Sequence, residues 1–117
     1  MADDAQVTVR RVNSAAVVET PEYINNVGGE SIAQACNSLI SEEVSGIVLN
    51  LKDCSIANSV GISFLVEVLE YMREKGGKLA FCCMTPTISK TFQIMGLLQT
   101  ATVHDAEEDA LVAVGGH

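Results

Sequence analysis

The chain has 117 residues, 48% hydrophobic and 19% charged, with a formal net charge of −8. Such a length suits one globular domain with a single core, and the acidic balance argues against nucleic acid and anionic membrane surfaces, which attract Lys and Arg. Aromatic content is 4% with no tryptophan, so the core has to be aliphatic.

Soluble protein partners remain, and a basic patch on one of them would speed encounter. No apolar run approaches the ~20 residues that cross a bilayer. The acidic start Met1-Ala2-Asp3-Asp4 lacks the basic region that opens a secretory signal. The expectation is one cytoplasmic domain over residues 1–117, with a flexible tail at residues 1–5 and no membrane insertion. Cys36, Cys54, Cys82 and Cys83 show no C-x-x-C spacing and lie far in sequence from His104 and His117. They read as reduced core thiols, and no metal or cofactor is expected.

In chain order, Gln6–Val12 and Ala15–Thr20 are β-rich runs split by Asn13-Ser14, the pattern of a hairpin. Pro21 ends the second strand or sits at its edge, and Glu22–Gly29, with its paired Asn and paired Gly, reads as loop. From Glu30 to Val44 the residues Ile32, Ala35, Cys36, Leu39 and Ile40 fall at helical spacing. Gly46–Leu51 is a short apolar run of the kind buried on both faces in a parallel sheet. A second helix is expected from Ser59 to Lys75, stopped at Gly76-Gly77. Leu79–Met84 reads as a strand, which would send Cys82 and Cys83 to opposite faces. Thr85-Pro86 opens a third helix with an apolar face of Ile88, Phe92 and Met95, and Gly96 ends it. Thr100–His104 reads as a last strand, and Asp105-Ala106-Glu107-Glu108 as a capping box before a helix carrying Ala110, Leu111 and Val114.

The order β-β-α-β-α-β-α-β-α, with no internal repeat, predicts a mostly parallel mixed sheet of about five strands with about four helices. In the second helix Gly61, Ile62, Phe64, Leu65, Val68, Leu69 and Met72 share the face that meets the sheet. Ser59, Ser63, Glu67, Glu70 and Glu74 lie opposite, flanked by Val60, Val66 and Tyr71 as exposed apolar residues. Those flanking residues suit either an ordinary solvated face or a partner-binding surface. Ser59 itself has two readings. It is a helix N-cap, a role Asn58 could fill equally well, or a phosphoacceptor, because free amides at a helix start tolerate added negative charge. No phosphate loop or His-Glu-x-x-His occurs, and Glu67, Glu70 and Glu74 read as a solvated face, so an enzyme is not expected.

Ile47–Asp53, Asn58-Ser59-Val60-Gly61-Ile62, Lys75-Gly76-Gly77 and Met95-Gly96-Leu97 together resemble a STAS domain, and within that superfamily the bacterial anti-sigma-factor antagonists. The resemblance covers about Val44 to Val114. The family's switch loop reads Asp-Ser-Ser/Thr-Gly, which places its phosphorylated serine at Ser59 and its glycine at Gly61, with Asn58 and Val60 departing from the pattern. Upstream, Thr20–Asn25 replaces the family's Gly-Glu-Leu-Asp. The resemblance implies a non-enzymatic adaptor that binds an anti-sigma factor with serine kinase activity and is released when that kinase phosphorylates Ser59. A metal-dependent serine phosphatase would reset it. The residues it implies for partner binding are Tyr23, Asn25, Asn58, Val60, Gly61, Ser63, Val66 and Glu67. The alternative within the superfamily is a subunit of an ABC lipid-transport complex, or a scaffold in a stress-signalling assembly.

Overall fold

The computed structural model describes residues 6–116, so the expected tail at residues 1–5 and His117 lie outside the described residues. A five-stranded mixed sheet forms from β1 (Thr8–Val12), β2 (Ala15–Glu19), β4 (Gly46–Asn50), β6 (Lys78–Cys82) and β7 (Thr102–His104), in the order β1-β2-β4-β6-β7. β1 and β2 make the expected antiparallel hairpin around Asn13-Ser14, and every other pairing is parallel. Four helices complete the domain: α1 (Asn26–Ser41), α2 (Ser59–Glu74), α3 (Pro86–Ile94) and α4 (Glu107–Ala113).

Period-two alternation along the strands builds two cores. Ala16, Val18, Ile47, Leu49, Leu79 and Phe81 face α1, α2 and α3, which contribute Ile32, Leu39, Ile62, Leu65, Ile88 and Phe92. The other face carries smaller residues, Ala15, Val17, Val48, Ala80 and Cys82, and Ala110 of the short α4 covers them together with its C-cap Val114. Phe81 and Phe92 meet edge to face at 5.2 Å between ring centroids, a favoured aromatic geometry.

Several expectations fail, each for a local reason. The segment read as a Glu22–Gly29 loop contains β3 (Tyr23–Ile24) and the first turn of α1. Gly28 and Gly29 are helical despite their low propensity, because a Cβ on Gly28 would strike the Tyr23 carbonyl and one on Gly29 would lie 2.7 Å from the Gly61 oxygen. β3 pairs with a second strand not expected from sequence, β5 (Ile56–Ala57), as a separate two-stranded parallel ribbon. α1 ends at Ser41, where Glu43 turns to φ 66, rather than at Val44. β6 stops at Cys82 because Cys83 adopts φ 63, and Cys83 packs on the same small core as Cys82 instead of the opposite face.

Met95 is exposed just beyond α3, leaving Ile88 and Phe92 as the buried face of that helix. No capping box opens α4. Ala106 holds the N-cap position without a side-chain bond, and Glu107 turns instead to Arg10 and Asn50. Thr85 caps α3 as expected, accepting from the Ile88 amide.

Candidate functional site

The loop after β4 leads to the start of α2 and is held at several points. Asn50, buried at the end of β4, accepts the Lys52 amide at 2.9 Å through Oδ1 and donates to Glu107 at 2.9 Å through Nδ2. The Leu51 amide continues the ladder to the Cys82 carbonyl, and the Leu51 and Cys54 side chains are buried. The Ser55 amide then donates to the Glu22 carbonyl, β5 pairs with β3 in the register Tyr23↔Ile56 and Ile24↔Ala57, and the Asn58 amide donates to Ile24. Each of these groups would otherwise be a loose backbone donor. Together they fix where α2 begins.

Asn58, not Ser59, caps α2: its Oδ1 accepts the Gly61 amide at 2.8 Å. That frees Ser59 for another role. It sits at the first helical position, exposed, among amides that have no intrahelical acceptor. Gly61 is buried against the Ile24 carbonyl, where a Cβ would overlap it, so α2 presses directly on the β3–α1 junction.

That junction repeats the same design. Tyr23-Ile24-Asn25-Asn26-Val27-Gly28 and Ile56-Ala57-Asn58-Ser59-Val60-Gly61 are each a short strand, an Asn cap and a helix start, contrary to the expectation of no internal repeat. Asn25 accepts the Gly28 amide at 2.9 Å as Asn58 accepts that of Gly61. In-register pairing of the two strands sets the helix mouths side by side. Tyr23, Ile56, Val27 and Val60 each expose between 45% and 57% of their surface there. An apolar cluster with a polar surround is a surface suited to a partner.

The structure therefore brings Tyr23, Asn25, Asn58, Ser59, Val60 and Gly61 to one end of the molecule. Ser63 and Glu67 are exposed further along α2, and the Ser63 hydroxyl donates back to the Val60 carbonyl. Val66 does not join the mouth. It is half-buried on the main core and borders a different depression with Met95 and Leu97. Tyr71, expected as exposed, also packs on that core, with the Lys75 ammonium 5.6 Å from its ring centroid. Asn26, Val27 and Ile56 belong to the mouth but were not singled out from sequence. The six-residue repeat was the signal that could have found them.

Beside the mouth runs a groove of about 570 Å³, lined by Pro21, Tyr23 and Val27 and by the acidic residues Glu22, Asp53 and Glu19, the last paired with Arg10 and Lys52. An acidic and apolar lining of this kind complements a basic, partly apolar segment. Among the described residues no group of three or more His, Cys, Asp or Glu is placed to hold a metal ion. Behind the loop, burial works to raise the Glu107 carboxyl, but hydrogen bonds from Asn50 and Arg10 outweigh it and hold the group below its ordinary value. The same Glu107 bond raises the Arg10 guanidinium. The loop thus stands on an ionised anchor.

Fold and site together define a small α/β domain that presents an exposed, Asn-capped helix mouth. Residues 6–110 match the STAS domain. The chain belongs to the STAS family. It is 29% identical over 65 residues to a protein of Paenibacillus polymyxa named anti-sigma F factor antagonist, a match spanning 56% of each chain. An anti-sigma factor antagonist from Mycobacterium paratuberculosis superposes with a TM-score of 0.82 at 22% identity, over 98% of this chain and 97% of that one. The Bacillus cell fate determinant SpoIIAA in its phosphorylated form gives 0.73 at 21% identity, over 93% and 99%. The unphosphorylated form of the anti-sigma factor antagonist SpoIIAA gives 0.74 at 19%, over 96% and 100%. At these identities the structural likenesses establish the fold. No helix among the described residues is long and apolar enough to cross a membrane.

Proposed function

We propose that this protein is an anti-sigma factor antagonist switched by phosphorylation of Ser59. Unmodified, it binds an anti-sigma factor that is also a serine kinase, through the mouth formed by Tyr23, Asn25, Asn58 and Val60, with Ser63 and Glu67 at the margin. That binding frees the sigma factor. Gly61, expected as a contact, is buried and instead lets α2 pack on the β3–α1 junction. The kinase transfers phosphate from ATP to the Ser59 hydroxyl, and a metal-dependent serine phosphatase removes it. The protein is substrate and ligand, not catalyst, and acts in the cytoplasm.

The observation that carries this reading is the division of labour at the α2 start. Asn58 takes the cap, leaving Ser59 exposed at the first helical position within an apolar rim. The helix start tolerates the modification because its amides and macrodipole favour negative charge. A docked partner would have to bury the added ~1.5–2 charges, which is costly without a matching cation. The relatives named as anti-sigma factor antagonists support the partner class. The test uses Ser59→Ala with the kinase partner and ATP. Phosphate incorporation should disappear while binding to the unloaded kinase stays within about threefold, a difference of roughly 0.7 kcal/mol. Continued phosphorylation of the variant would place the acceptor elsewhere.

A further inference from the structure

Cys82 and Cys83 are neighbours that a regular strand would separate, one thiol on each face. The backbone does not allow that separation. β6 ends at Cys82, and Cys83 takes φ 63, a region that non-glycine residues rarely occupy. Cys83 then packs against the small core under α4, of which Cys82 is a fully buried member. Burial and the neighbouring Cys83 thiol both push the Cys82 thiol up. Cys83 is partly exposed, whereas Cys36 and Cys54 are buried in the main core, pushed up to about 12 and about 11 by that burial.

We infer that Cys82 and Cys83 form a vicinal dithiol that a peroxide oxidises reversibly to an intrachain disulfide. Cys83 is the more exposed member of the pair. Its thiolate sulfur attacks one peroxide oxygen, the O–O bond breaks, and the departing hydroxide takes a proton to become water. The resulting Cys83 sulfenic acid is attacked by the Cys82 sulfur. Its S–O bond breaks, and the hydroxyl leaves as a second water with the Cys82 proton. Two thiols lose two electrons and two protons, and the peroxide accepts them. Consecutive Cα atoms lie about 3.8 Å apart, shorter than the roughly 4.4–6.8 Å usual across a disulfide. The bond is therefore strained and readily reduced, as labile regulatory disulfides are. The shared peptide also carries the Leu51 amide to the Cys82 carbonyl and the Cys83 amide to the His104 carbonyl. Closing the ring strains the contacts that hold the switch loop and β7.

The test exposes the folded protein to hydrogen peroxide, blocks free thiols with iodoacetamide and weighs the digested peptides. The Cys82-Cys83 peptide should be unalkylated and lighter by the mass of two hydrogen atoms, and dithiothreitol should reverse this. Cys36 and Cys54 should remain thiols. Cys83→Ser, a change at a partly exposed position, should abolish the mass loss, and Cys82→Ala should leave a Cys83 sulfenic acid that a dione probe captures. The inference is overturned if wild-type Cys83 oxidises to a sulfinic acid while Cys82 stays a thiol. It is equally overturned if the product is a disulfide between two chains.

Discussion

The residue that decides the chemistry of the helix mouth is Asn58. A serine beginning a helix is most simply read as its cap, and on spacing alone Ser59 could have been nothing more. Asn58 takes the Gly61 amide instead, and its neutral amide oxygen accepts that bond as a carboxylate would. Replacing it by Ala should remove the cap and cost about 1 kcal/mol of folding stability, read from the shift in urea midpoint. A change below about 0.3 kcal/mol, within the error expected for a surface site, would mean that Ser59 can take over the cap.

Glu107 is the second residue whose role is local. Its carboxyl lies below the ordinary 4.5 in the folded chain, so the folded state binds that proton less readily than the unfolded one. The stability this confers is fully present above the unfolded value and is lost as pH falls through the folded value. Glu107→Gln should flatten this part of the acid limb of the stability profile below about pH 4.5, measured by urea unfolding across pH. An acid limb identical to wild type would show that the bonds from Asn50 and Arg10 do not govern it.

At the scale of elements, the two strand–cap–helix units stand or fall together. Gly61 allows α2 to meet the Ile24 carbonyl, and Gly29 lies against Gly61, so three elements converge with no room for a methyl group. Gly61→Ala should therefore destabilise by about 1–3 kcal/mol through overpacking, although alanine is the better helix former. A thermal midpoint equal to or above wild type would contradict that packing.

The same junction shows what the sequence made legible. Runs such as Gly46–Asn50 and the period of α2 carry their own signal, because a buried strand and an amphipathic helix are written in side-chain polarity. The five-stranded sheet, the four helices and the placement of Ser59 at a helix start followed from them. β3 and β5 are two residues each, too short to show a period, and they exist because each supplies the other's partner. Gly28-Gly29 looked like a loop because propensity is local, whereas glycine is needed there by tertiary approach: Gly28 by the Tyr23 carbonyl and Gly29 by Gly61, more than thirty residues away. Val66 was placed at the binding surface by its helical angle, but it is half-buried against the main core.

For the whole molecule, the fold separates a scaffold from a signal. The sheet and its two cores are closed and apolar, while the mouth presents an apolar rim, two Asn caps and an adjacent acidic groove. A charge added at Ser59 meets favourable amides within the chain, worth about 0.3–1 kcal/mol, and unfavourable burial only when a partner covers it. The modification should leave the fold intact and act on association alone. The measurement that tests this most directly is a calorimetric titration of the kinase partner with wild type and with Ser59→Glu, alongside their thermal midpoints. The account predicts equal or slightly higher thermal stability for the variant and at least tenfold weaker binding, a loss of about 1.4 kcal/mol or more. Equal affinity of the two proteins would contradict it.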